Sequence, residues 1–446
     1  MTSPKETFII VGAGLAGGVM ANYLGAAGHD VHVYERRPDL RRVGAAGGRS
    51  INLALSVRGM HALKEIGVLD TVMDQAVPMP GRMIHGVDRS LTFQPYGTHG
   101  EAIYSVSRGG LNAILLDAVA RYPNVKLYFD HKCIDVDIDS GVTTYENADG
   151  KTVNGPAGID ISADGAFSAV RARMQRLDRF DYSQSYLEHG YKELCIPAAD
   201  AGGWRMQKDA LHIWPRRSYM MIALPNADGS FTVTCFWPVD GPNGFNALKT
   251  PEQVTAYFNE HFPDAVALMP TLAEDYFSNP TSSLVTVRCG PWNWRDKVVI
   301  LGDAAHAIVP FFGQGMNCAF EDCTALNDRI KTCNGDYARA FHDFYVERKR
   351  HADAIADLAL QNFVEMRDKV GDPKFLRRKK MEKRLHRWFP NWYMPLYEMV
   401  SFTRIGYADA VDRAKRQDKT LARIRQGLVW AIALIVILVL LFAFRR

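Results

Sequence analysis

Apolar and polar positions change period several times along the chain, and each change predicts an element. Thr7 to Gly12 (TFIIVG) is a short apolar run of the buried-strand kind, Leu15 to Ala27 has helical composition, and Val31 to Glu35 (VHVYE) is a second strand ending in an acid. A glycine-rich basic loop from Arg41 runs through Arg58 into a predicted helix that continues to Gly67. Met83 to Val87 and Leu91 to Phe93 are predicted strands around an Asp88-Arg89-Ser90 turn. Tyr104 to Arg108 leads into an amphipathic helix over Leu111 to Arg121, and Val125 to Phe129 is another strand. Polar, glycine-bearing alternation from Asp130 to Gly155 predicts an antiparallel meander. Ile159 to Gly165 is a strand closing on Asp-Gly, followed by a helix over Phe167 to Leu177.

From Phe180 to about Ser283 the character changes. Runs such as Leu211–Trp214, Tyr219–Leu224 and Phe231–Trp237, punctuated by Pro, Gly and Asn, predict an antiparallel sheet. Val298 to Leu301 then reads as a buried strand, ended by Gly302-Asp303. A second turn, Gly313-Gln314-Gly315, opens a helix at Met316. Beyond Asp322 the pattern is helical, with Tyr337 to Asp368 the longest stretch. Trp388 to Tyr397 is aromatic, but its two prolines and its length exclude a membrane span and favour a packed or interfacial segment. Gly427 to Phe444 is eighteen uncharged residues bracketed by Arg423, Arg425, Arg445 and Arg446. As a helix it would reach roughly 27 Å, close to a hydrocarbon core of about 30 Å. A buried core helix is the bland alternative; the flanking arginines favour a C-terminal anchor.

Composition narrows the class without deciding it. A hydrophobic share of 47% and a charged share of 23% are ordinary for a globular protein, and 446 residues allow two or three cores. Seven cysteines with no C-x-x-C pair argue against a disulfide framework or zinc site, so no metal is expected. Met1 to Thr7 reads as a polar lead without a signal pattern. The net charge of +4 is uneven: Met366 to Trp388 holds ten Lys or Arg and three acids, a local +7. The remainder is about −3, which argues against nucleic-acid binding by the chain as a whole. The basic block would face anionic head groups if the terminal helix is an anchor.

Candidate chemistry gathers at the strand ends. Gly12-Ala13-Gly14-Leu15-Ala16-Gly17 stands between strand and helix, with Glu35 closing the next strand: the dinucleotide fingerprint in its required context. Gly12 allows the tight turn, Gly14 a close approach of pyrophosphate, Gly17 close packing, and Glu35 a ribose contact. The fingerprint alone does not separate FAD from NAD. Asp303 could accept hydrogen bonds from ligand hydroxyls, and the glycine turn before Met316 leaves N–H groups free for negative charge. Arg108, at a strand-to-helix junction, is a candidate anion contact, as are the loop residues Arg36, Arg37 and Arg49. Arg82 and Tyr96, taken alone, read as a strand-edge arginine and a turn tyrosine.

In this order and spacing, the glycine fingerprint with Glu35, Asp164-Gly165 and Gly302-Asp303-Ala304-Ala305-His306 resemble the single-component FAD-dependent aromatic hydroxylases. Residues 49–56, Arg82-Met83-Ile84-His85, Gln94-Pro95-Tyr96-Gly97, Leu211 to Arg216, Gly302 to Cys323, Asn362 with Glu365-Met366-Arg367, and Pro395-Leu396-Tyr397 narrow the likeness to the kynurenine 3-hydroxylating branch, over nearly the whole chain. Ser162 departs from the glycine usual before Asp-Gly. The resemblance implies an α/β fold: a Rossmann-like FAD-binding domain over 1–70, 98–180 and 285–325, with an inserted antiparallel-sheet substrate domain over 71–97 and 181–284. A helical region over 326–425 and a transmembrane helix over 427–444 would follow.

It implies FAD as cofactor, NADPH as a transient co-substrate, O2, and hydroxylation of L-kynurenine to 3-hydroxykynurenine through a C4a-hydroperoxyflavin. Asp303 would hold the ribityl chain, Gly315 and Met316 the pyrimidine edge, and Arg108 the cofactor, with weaker contacts from Ala16, Arg36, Arg37 and Ala54. Arg82, Tyr96, Asn362 and Tyr397 would hold the amino-acid end of the substrate, and Phe311 and Phe312 the ring. The catalytic body would sit in the cytoplasm, on the mitochondrial outer membrane of a eukaryote or the inner membrane of a bacterium. A hydroxylase of another aromatic, such as a quinone precursor or phenol, would share the flavin motifs; a binding protein that has lost FAD would share the fold, but the intact glycines and Gly302-Asp303 speak against it. Oligomeric state is not legible.

Overall fold

The strand Thr7–Val11 occupies the middle of a six-stranded sheet in a computed structural model that describes residues 5–43, 52–97, 100–369 and 372–444. Across the sheet the order is Asn293–Trp294, Val298–Ile300, Ile159–Ser162, Thr7–Val11, Asp30–Tyr34 and Val125–Tyr128, parallel except for the first pair. Parallel strands are covered on both faces, so their residues need to be apolar throughout. Phe8, Ile9, Ile10, Val298, Val299 and Ile300 are accordingly all fully buried. The sheet thus joins segments about 300 residues apart and brings Gly302 beside the first helix, Leu15–Ala26.

A seven-stranded sheet forms the second layer, ordered Ser282–Gly290, Asp181–Ile196, Phe231–Pro238, Met220–Pro225, Leu211–Pro215, Gly81–His85 and Leu91–Pro95. Alternation along each strand gives it two apolar faces. Trp214 and Trp237 pack outward against Phe258 and Phe262. Ile213, Met220 and Phe236 face inward onto Phe311 and Phe363. The inner face therefore looks at the loop after Gly302 and at the long helix Tyr337–Val364.

Two expectations fail. Asn52–Leu55, within the stretch read as a loop running into a helix, is a strand that pairs antiparallel with Ile103–Ser107, and the helix starts at Val57. Tertiary bonding decides it: the buried Asn52 amide donates to Ser105 Oγ at 3.0 Å and Pro225 O at 3.2 Å. The region to Ser283 is not sheet throughout, since Pro251–His261, Pro263–Val266 and Leu272–Ser278 are helices covering the outer face. The signal was there: Thr250 and Gln253 form a capping box around Pro251.

At the C-terminus Pro373–Trp388 and Leu396–Phe402 lead into one unbroken helix, Tyr407–Ala443. Its apolar half is long and apolar enough to cross a membrane, and the protein covers none of it: Trp430 is 69% and Ile435 59% exposed. The buried-core alternative for this segment is excluded.

A buried ion cluster ties these layers together. Asp322, fully buried, accepts from Gly302 N (3.1 Å), His306 Nε2 (2.5 Å) and Arg348 Nε (2.8 Å). Arg348 also reaches Glu321 and Cys318 O. Glu321 pairs with Arg58, which donates to Val400 O and Ile405 O and lies 4.0 Å from the Tyr407 ring. Burial pushes the Asp322 carboxyl up, but His306 and Arg348 outweigh it and hold the group below the usual range. Asp322→Ala is expected to cost about 3–5 kcal/mol, because Arg348 is left charged and buried. A depressed carboxyl stabilises above its unfolded value and loses that contribution as pH falls through its folded one. The gap in unfolding midpoint between parent and variant should therefore narrow below about pH 4.

Candidate active site

The glycine turn has the geometry of an anion cradle. Gly12 has φ +98° and donates its N–H to Tyr34 O at 2.7 Å. A Cβ on Gly17 would lie 1.9 Å from Gly12 O, so helix and strand can meet only through glycine there. A Cβ on Gly14 would meet nothing within 4 Å. Gly14 caps the first helix without a side-chain bond, so first-turn N–H groups point into open space. Glu35 is already engaged: Oε2 accepts from Ala13 N at 3.0 Å, and Oε1 from Arg37 N and Nε at 3.0 and 2.8 Å. Its carboxylate clamps the turn, with about one of four lone-pair sites left for a ribose hydroxyl. Arg36 is exposed and its side chain makes no hydrogen bond or ion pair among the described residues, and Arg49 lies outside them. A cleft of about 940 Å³ runs from Gly14 and Arg37 to Arg108, the first residue of the helix Arg108–Val119.

On the other side of Ala16 stands the stretch after Val298. Gly302 has φ +58°, and a Cβ there would lie 3.2 Å from Ala319 Cβ and 3.6 Å from Ala16 Cβ. Asp303 is solvent-exposed, and the protein packed around it raises its carboxyl pKa by desolvation, against the pull of Arg108 and His306. It accepts no hydrogen bond among the described residues. The helix Gly315–Cys333 also begins without a side-chain cap, leaving Gly315 and Met316 N–H free. Asn317 fixes that start: Nδ2 donates to Ala54 O (2.8 Å) and Gly313 O (2.9 Å), and Oδ1 accepts from Ser56 N (2.9 Å). Ala54 lies under the turn, 3.1 Å from where a Gly313 Cβ would be. Two uncapped helix starts, an open glycine and an unpaired carboxylate suit a long dinucleotide with a hydroxylated chain. The residues fit FAD. Ser162 is accommodated as well, its hydroxyl donating to Asp164 Oδ1 at 2.7 Å while Asp164 Oδ2 accepts from Ala169 N.

A second cavity, about 180 Å³, lies between the inner sheet face and the C-terminal helices. Arg82, Tyr96, Phe312, Asn362 and Tyr397 all line it. The Arg82 guanidinium sits 5.2 Å from the Tyr96 ring and 5.1 Å from the Tyr397 ring, and those rings stack at 5.3 Å. Phe312 stacks on Tyr397 at 5.4 Å. Arg82 Nε and Tyr96 Oη are buried and reach no partner at good hydrogen-bond geometry; the guanidinium and the phenol interact with each other and with Tyr397. Phe311 does not line the cavity; it packs one layer behind, on Phe363 at 4.3 Å and Phe236 at 4.9 Å. Asn362 Nδ2 donates to Phe311 O at 2.6 Å and so holds the loop.

Residues outside the expected set also belong here. Glu365 and Met366 line the cavity where the long helix widens into a π turn, Glu365–Lys369, a distortion common at functional sites. An acid three residues after Asn362 was the available signal. Asn317 and Asp322 position the flavin-side backbone, and their polarity inside an apolar helix pattern marked them. Donor atoms of His306, Cys318 and Asp322 lie within 4.8 Å of one another, but Arg348 donates to both Asp322 and Cys318 Sγ (3.5 Å), a cation where a metal would go.

Residues 5–359 match the family model described as FAD binding domain. The kynurenine 3-monooxygenase of Myxococcus xanthus is 46% identical over 426 residues, covering 95% of this chain and 92% of its own. That of Dictyostelium discoideum is 48% identical over 419 residues, 91% and 90% of the two chains. The chain belongs to the kynurenine 3-monooxygenase family. Membership makes it an FAD-dependent monooxygenase of aromatic rings. The fold is that of known oxygenases: 2-methyl-3-hydroxypyridine-5-carboxylic acid oxygenase superposes with TM-score 0.68 at 20% identity, over 84% of this chain and 96% of that one. The p-nitrophenol 4-monooxygenase of Pseudomonas putida gives 0.65 at 17%, over 86% and 94%. The glycine turn of this family member separates two roles that substitution can read. Gly17→Ala should lower both melting temperature and flavin content, since its Cβ overlaps backbone. Gly14→Val should leave the apoprotein's melting temperature within a few degrees of the parent and lower flavin content alone, measured by absorbance after gel filtration.

Proposed function

We propose that the enzyme hydroxylates L-kynurenine at ring carbon 3, using NADPH and O2, with FAD lying between the glycine turn and Asp303. The carrying observation is a buried guanidinium beside a buried phenol, Arg82 and Tyr96, in one cavity with no acid bonded to either among the described residues. A buried cation without a carboxylate is costly, and a substrate carboxylate removes the cost by accepting from the guanidinium and the phenol together. A simple phenol brings no such group. The relatives' name supports the same substrate.

In this reading Arg82 and Tyr96 bind the substrate carboxylate, and Glu365 stands ready for its ammonium group. Tyr397 and Phe312, stacked on each other, orient the ring. Phe311, Phe236 and Phe363 back that wall and keep it dry. Bound FAD supplies the redox chemistry, passing two electrons from NADPH so that one atom of O2 enters the ring and the other leaves as water. The ring is electron-rich ortho to its amine, so the protein needs no strong base: the hydrogen displaced from carbon 3 leaves as a proton. The free Gly315 and Met316 N–H groups would hold negative charge at the flavin edge.

The same reading divides the chain into a cofactor part (1–70, 98–180, 285–325) and a substrate part (71–97, 181–284), supported by Gly81–His85 and Leu91–Pro95 joining the second sheet. It also takes the exposed apolar helix as a membrane anchor. Arg82→Ala should keep the flavin spectrum and raise KM for L-kynurenine by about 10- to 100-fold, the worth of a charge-assisted hydrogen bond. An unchanged KM would remove Arg82 from the substrate site.

A further inference from the structure

The helix Pro373–Trp388 has two faces that do different things. Phe375, Lys379, Glu382 and Lys383, at helical spacing, line the substrate cavity, and Lys383 donates to Pro95 O beside Tyr96. On the other side Lys374, Arg377, Lys380, Arg384 and Arg387 are exposed and have no acidic partner among the described residues. At the end of that face Trp388 is 67%, Phe389 53% and Trp392 39% exposed, with Met381 at 51%. Large apolar groups clustered beside unpaired cations are the composition of a surface that lies against lipid head groups.

The attachment of this helix puts it at the right height. Gln417 of the last helix donates to Met394 O at 2.9 Å and accepts from Met394 N at 3.2 Å, and Asp418 pairs with Arg378 at 3.5 Å. Gly427, where the apolar run begins, lies nine residues beyond Asp418. That is about 14 Å of helix. A head-group layer of about 5–8 Å and a screening length of about 8 Å together cover the distance. A bilayer crossed by the last helix therefore comes within electrostatic reach of the basic face, and the sign of the charge selects an anionic surface.

We propose that this outward face, with Trp388, Phe389 and Trp392, docks on the anionic surface of the bilayer that the last helix enters. The inference rests on the anchor reading above and adds a consequence. The inner face of the same helix is a wall of the substrate cavity, so docking holds that wall in place and lipid charge sets substrate affinity.

The test uses the 446-residue chain in nanodiscs of phosphatidylcholine, with or without phosphatidylserine. Hydrogen exchange of residues 373–392 and KM for L-kynurenine are measured in each. Phosphatidylserine should slow exchange several-fold and lower KM, high salt should reverse both, and the triple variant Lys380→Glu, Arg384→Glu, Arg387→Glu should show neither effect while still entering the disc. Equal exchange in the two lipids overturns the docking. Slowed exchange with an unchanged KM overturns the link to the cavity. Failure of the chain to enter discs overturns the anchor reading and the docking with it. Protection by polyuridylate but not by phosphatidylserine makes the partner a nucleic acid and overturns the lipid assignment.

Discussion

Asp322 is a carboxylate with no exposed surface, and such a group persists only when its charge is matched and its oxygens are bonded. Its three partners come from three places: the Gly302 turn, the short helix Asp303–His306, and the helix Tyr337–Val364. Through Arg348, Glu321 and Arg58 the same cluster reaches Val400, Ile405 and Tyr407. One chain of charge-assisted bonds thus sets the parallel sheet, the flavin-side loop and the C-terminal helices against one another. Apolar packing alone would leave these helices free to slide; a bonded ion cluster has one register.

That register places the loop Pro310–Phe312 between two spaces. On one side lies the uncapped start of the helix Gly315–Cys333, with Gly313 O held by Asn317. On the other, Phe312 faces the Arg82 cavity, with the loop held by Asn362. In the proposed reaction these few residues stand between flavin and substrate ring. Phe312 and Tyr397 give the cavity an aromatic side, while Arg82, Asn362, Glu365, Lys379, Glu382 and Lys383 supply polar and charged groups around it.

Legibility in the sequence followed from how local each feature is. The glycine turn was readable because Gly12 and Gly17 answer to backbone demands within six residues, a positive φ and a 1.9 Å approach. The terminal helix was readable from an uninterrupted apolar run. Asn52–Leu55 was not, because its strand exists only through pairing with Ile103–Ser107 and bonds to a loop 170 residues on. The helices over 251–278 were lost in a region read by its punctuation, although the Thr250 capping box marked their start. Arg82, Tyr96, Asn362 and Tyr397 come from separate strands, loops and helices, and nothing in their local patterns says that they meet. Only likeness to a family grouped them, and it also put Phe311 at a cavity wall where the structure has Phe312 alone.

In the proposed reaction this chain places one oxygen atom on the ring of L-kynurenine. Incubating the flavin-loaded protein with NADPH, L-kynurenine and 18O2, and weighing the product, tests it directly. The expected result is NADPH oxidation stimulated by L-kynurenine and a product carrying one 18O atom on the aromatic ring. NADPH consumption that yields only hydrogen peroxide and unaltered L-kynurenine, with hydroxylation of a different aromatic instead, would contradict it.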